Sequence, residues 1–98
     1  MPHTLRKDRS QEIRTETAVL RKADLDIREG QARLLDQQNR LVELEAHGRP
    51  TREAERLVEL MQQTLLEWER HRDLIVQRLA YLQEQATTSD EGDGGLPR

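Results

Sequence analysis

Ile13, Leu20, Ile27, Leu34 and Leu41 fall seven residues apart without a break, and from Ala54 the chain repeats the device with Met61, Trp68, Ile75 and Leu82. An apolar residue at every seventh position makes one narrow stripe along a helix, and such a stripe must face a partner to leave water. Companion positions lie three residues on in the first stripe, at Glu16, Ala23, Gly30, Gln37 and Leu44. In the second stripe Val58, Leu65 and Leu79 follow four residues after Ala54, Met61 and Ile75. Two helices are therefore expected, one over about residues 10–46 and one over about 52–85.

Between the stripes stands Ala46-His47-Gly48-Arg49-Pro50-Thr51. Gly48 suits the left-handed position that ends a helix, and Pro50 cannot continue one. Thr51 suits the cap of a new helix, its side-chain oxygen accepting from backbone N–H groups two or three residues on. Glu53 and Glu55 place negative charge in that helix's first turn, where the dipole favours it. Matched lengths and so short a connection imply an antiparallel αα-hairpin. Folding at the turn pairs residues whose numbers sum to roughly 98 or 99. That sets Leu44 near Ala54, Leu41 near Leu57 and Val58, Leu34 near Leu65, Ile27 near His71 and Arg72, and Leu20 near Leu79.

The same register places Gly30 opposite Trp68, the only indole in the chain. A glycine inside a helix costs about 1 kcal/mol relative to alanine. On a seam it makes room for something large from the facing element. The competing reading is a helix break near Gly30, but the seven-residue phase runs through it unshifted. The expected hairpin seam is thus Leu20, Ile27, Gly30, Leu34 and Leu41 against Val58, Met61, Leu65, Trp68, Ile75 and Leu79. Acid-before-base pairs at helical spacing, Asp24 with Arg28, Glu29 with Arg33 and Asp36 with Arg40, mark the solvated side of the first helix.

Composition now matters, because 34% apolar and 36% charged residues, with no Phe, one Trp and one Tyr, make a thin core for a 98-residue monomer. Abundant Leu, Glu, Arg and Gln is what helical hairpins and coiled coils use. Beside the seam lie Val19, Leu25, Leu35, Val42, Leu60, Leu66 and Leu74, which two helices alone leave wet. These residues read as a second contact surface, most simply against another copy. The expected architecture is all-α, an antiparallel two-helix hairpin of coiled-coil type that dimerises into a four-helix bundle. The alternative is a monomer that covers those leucines with long Arg and Gln stems.

Several activities are disfavoured. A net charge of −3 provides no global basic field for nucleic acid or an anionic membrane. Cysteine is absent, which removes disulfides, thiolate metal sites and thiol catalysis. No stretch approaches the ~20 apolar residues of a membrane span. The start of the chain shows no signal-peptide core, so a cytoplasmic protein is expected. Ser10 and Ser89 lie near the ends, with no histidine held beside either for nucleophilic catalysis. Glu67 and His71 share a helix face, but di-iron bundles use Glu-x-x-His at three apart, and residue 68 is Trp. No enzyme activity, cofactor or metal is implied. Residues 1–9 read as a mildly basic arm, and the stretch from Ala86, Thr-Thr-Ser-Asp-Glu-Gly-Asp-Gly-Gly-Leu-Pro-Arg, as a disordered acidic tail.

The runs Asp26-Ile27-Arg28-Glu29-Gly30-Gln31-Ala32-Arg33 and Gln37-Gln38-Asn39-Arg40-Leu41-Val42, the turn Gly48-Arg49-Pro50-Thr51, and Glu53-Ala54-Glu55-Arg56-Leu57 through His71-Arg72-Asp73 carry a resemblance. Over about residues 24–80 the chain resembles a group of small bacterial helical-hairpin proteins with no assigned function. It departs from them at Pro50, where they carry a small acidic residue. The resemblance implies the hairpin and no activity. Two functions stay open at this point. One is a non-enzymatic protein–protein interaction module that is homo-oligomeric and meets an unidentified protein partner. The other is a nucleic-acid-associated regulator using the arm with Arg70, Arg72 and Arg78, although Glu67, Glu69, Asp73 and Glu84 interrupt that patch.

Overall fold

The chain reverses at Gly48, the one described residue with a left-handed backbone, at φ 63°. In the computed structural model, which describes the backbone of residues 2–95 and the side chains of residues 9–87, helix α1 spans Pro2–Ala46 and helix α2 spans Arg52–Gly95. Among the described residues there is no strand, and the two helices form an all-α hairpin. Two backbone bonds close the end of α1, from Arg49 N–H to the Leu44 carbonyl at 2.9 Å and from Gly48 N–H to the Glu45 carbonyl at 3.1 Å. This pair is the Schellman arrangement, which satisfies carbonyls that the last helical turn leaves without partners. Thr51 caps α2: its carbonyl accepts from Glu55 N–H at 2.8 Å, and its hydroxyl donates to the Glu55 carboxylate at 2.7 Å.

α1 starts at Pro2 rather than near Ser10, and α2 ends at Gly95 rather than near Gln85. The helical ladder is local, each N–H bonding four residues back, so it extends beyond the apolar stripes that pack it. Side chains of the expected arm and tail, residues 1–8 and 88–98, lie outside the described residues. Thr17 is accommodated inside α1 by donating its hydroxyl back to the Ile13 carbonyl at 2.7 Å.

Contacts divide the hairpin into two units, Ala23–His71 around the turn and Met1–Lys22 with Arg72–Arg98 at the open end. In the first unit Ile27 and Gly30 of α1 and Ala54, Val58 and Leu65 of α2 are buried, with Leu34, Leu41, Leu44 and Met61 half-buried. In the second unit Ile75 and Leu82 are buried, and Ile13, Leu20 and Leu79 are half-buried.

α1 runs unbroken through Gly30. A Cβ added there would stand 2.8 Å from Leu65 Cδ2 and 3.1 Å from Trp68 Cζ3. The glycine is a hole into which Leu65 and the indole fit, and Trp68 still keeps 36% of its surface exposed. A methyl group there meets the end of a flexible leucine and the rim of a stiff ring. The helical preference for alanine, about 1 kcal/mol, then works against the crowding.

Gly30→Leu should therefore lower unfolding stability by about 1–3 kcal/mol and shift Trp68 emission to the red as the ring is pushed out. Unchanged urea melting with unchanged emission would contradict the close approach. At Gly48 a Cβ meets nothing within 4 Å, so the cost of Gly48→Ala is that of the left-handed backbone alone. We expect about 1 kcal/mol of destabilisation in the same urea melts, with helicity otherwise retained.

Candidate interaction surface

Within the unit Ala23–His71, the seam leaves much of both helices' apolar content outside it. Leu25, Leu35 and Val42 of α1 and Leu60 and Leu66 of α2 are all exposed, Leu35 at 57%, Val42 at 61% and Leu66 at 56%. They divide by helical phase. Leu57 lines a groove of about 530 Å³ with Arg40, Leu44, Pro50 and Ala54, which puts Arg40 and Leu57 on one side of the seam. Counted round each helix at about 3.6 residues per turn, Leu60 falls on that same side. Leu35 and Val42, seven apart on α1, fall on the other side, as does Leu66 on α2.

The open-end unit shows the same excess, with Val19, Leu74, Val76 and Tyr81 exposed. Leu57, Val76 and Tyr81 were not among the surface residues expected from the sequence. The signal was present, since Tyr81 follows Leu74 by seven and Leu57 precedes Leu60 by three, placing each on a neighbour's face.

The basic residues of α2 are not a free patch. Arg78 reaches across the open end to α1, with Nη2 3.4 Å from Glu12 and Nε 3.4 Å from Glu16. Glu16 occupies a seam position and is half-buried, so Arg78 supplies the charge that lets a carboxylate sit there. Arg72 is half-buried on the seam side of α2, and Arg70 is exposed. Sequence reading grouped these three by proximity along the chain and missed that Arg78 faces α1, because the phase that decides it depends on the partner helix. The nucleic-acid reading loses one of its three named cations to this internal pairing.

At the hairpin tip His47 binds its own helix. Its ring Nδ1 stands 2.8 Å from the Glu43 carbonyl, and its backbone N–H donates to the same oxygen at 3.1 Å. A carbonyl only accepts, so Nδ1 carries a proton in this contact. The groove beside it is lined by Arg40, Arg49 and Glu53 together with Leu44, Pro50, Ala54 and Leu57. Glu67 and His71 are both exposed on one face of α2. Among the described residues no helix is long and apolar enough to cross a membrane.

No protein-family model matches the chain, and neither a curated protein nor a solved structure does. The surface has to be read from its own chemistry.

Arg78→Ala removes two cross-helix pairs at an exposed guanidinium, and exposed pairs contribute about 0.2–1 kcal/mol each. We expect a loss of about 0.5–1.5 kcal/mol at low ionic strength, shrinking as salt screens the pairs. A loss that does not change between low and high salt would show that Arg78 acts by packing instead.

Proposed function

We propose that this protein is a non-enzymatic protein–protein interaction module that works as a homo-oligomeric helical bundle, with a second copy of itself as its first partner. The observation that carries the reading is an imbalance between the two sides of the helices. Among the described residues six apolar side chains are buried and none of them fully, whereas eleven large apolar residues are exposed. Isolated exposed leucines are ordinary on soluble proteins, but rows of them at helical spacing are what contact surfaces carry.

Magnitudes favour a reversible association. A side chain such as Leu35, a little over half exposed, has on the order of 1 kcal/mol still to gain from burial. A few such residues from each copy offset an association cost of roughly 4–15 kcal/mol only in part or narrowly. A concentration-dependent dimer in the micromolar range follows from that balance. The side of each helix left uncovered would then receive a further protein through helix-in-groove or coiled-coil contacts. A chain with 36% charged residues suits an aqueous compartment, and we place it in the cytoplasm.

Sedimentation equilibrium across the micromolar range tests the dimer. A mass rising with concentration towards twice 11.5 kDa is the expected outcome. A mass that stays at 11.5 kDa throughout would overturn the reading.

A further inference from the structure

We propose that the second copy docks with its hairpin tip at the same end, α1 of each copy lying on α2 of the other. This rests on the dimer proposed above and adds its orientation. The surface is the side of the Ala23–His71 unit opposite the groove of Arg40 and Leu57. On α1 it carries Arg28, Leu35 and Val42, seven residues apart in one line, with the acids Asp24 and Glu45 beside that line. On α2 it carries Leu66 together with three acids, Glu55, Glu59 and Glu69.

Two hairpins stacked through the same face have two aligned solutions. With the two-fold axis across the helices, α1 lies on α1 and α2 on α2, and the tips point to opposite ends. That solution sets the acidic edge of α2 against an identical acidic edge, and juxtaposed like charges cost several kcal/mol at an interface. With the axis along the helices, α1 lies on the partner's α2, and the basic residue of one edge meets the acids of the other.

Register supports the second solution. Gly30 lies beside Leu65 and Trp68, so Arg28, a little farther from the turn, stands at the level of Glu69. A two-fold axis along the helices keeps levels unchanged. Arg28 of each copy therefore meets Glu69 of the other, and the pair forms twice. Leu35 comes within about one turn of the other copy's Leu66, closing an apolar patch between the two charge pairs and the tips.

The chain has no cysteine, so Arg52→Cys, at an exposed position just past the turn, accepts a single spin label on the full-length protein. With a contact centred near Leu35, labels at the same end lie roughly 10–20 Å apart and labels at opposite ends roughly 30 Å apart, from ~1.5 Å rise per residue and ~8–10 Å between packed helices. Pulsed dipolar measurement at a concentration where the mass is dimeric should return the short distance. The long distance, with the mass still dimeric, overturns the orientation while leaving the dimer standing. A monomeric mass with no dipolar signal overturns the dimer itself.

Charge exchange gives a second readout that a folding defect does not imitate. Arg28→Glu and Glu69→Arg should each raise the dimer dissociation constant about tenfold with helicity unchanged, and the double variant should restore it to within a few-fold. Two weakened single variants and an equally weakened double variant would overturn the Arg28–Glu69 pairing.

Discussion

The missing side chain at Gly30 is the constraint on which the hairpin's central packing depends. Leu65 and Trp68 approach that position so closely that even a methyl group would stand 2.8 Å from one and 3.1 Å from the other. Helices carrying only one apolar stripe each make a narrow contact. A glycine opposite a leucine and an indole turns that contact from two smooth ridges into a knob and a hole. It also sets the register, because sliding either helix by one turn would put the indole against Ile27 or Leu34 instead. The turn limits which registers are reachable, and Gly30 selects among them.

At the open end the same task falls to charge. Glu16 stands where the stripe calls for an apolar residue, and Arg78 answers it from α2 while also reaching Glu12. A polar seam position weakens packing but penalises any register in which the carboxylate is left without its cation. The two units thus hold their register by different physics, steric near the turn and electrostatic at the open end.

What the seam does not absorb is the basis of the proposed function. The apolar residues outside it lie on both sides of the helix pair, Leu35, Val42 and Leu66 on one and Leu57 and Leu60 on the other. A two-helix layer has two faces, and under the proposed dimer one face would be covered and the other left for a further protein. On the first face the cation Arg28 stands on α1, with Asp24 and Glu45 beside its line, and Glu55, Glu59 and Glu69 stand on α2.

Much of this was legible in the residues themselves. Stripes of seven from Ile13 and from Ala54 determine two helices, because no other regular structure puts every seventh residue on one line. Gly48 and Pro50 determine where the chain turns, because the backbone there is one that other residues adopt only at a cost. The exposure of residues such as Leu35 and Leu66 follows from their phase off those stripes. Only the tertiary structure decided how far the helices run, since the hydrogen-bond ladder passes beyond the stripes to Pro2 and Gly95. It alone decided that Arg78 turns inward to Glu12 and Glu16, and that the Thr51 hydroxyl serves Glu55. The physical reason is common to these cases. Periodicity ranks the faces of one helix, whereas the partner of a charged or hydroxyl group depends on which polar group the folded backbone brings within reach, on α1 for Arg78 and one turn along α2 for Thr51.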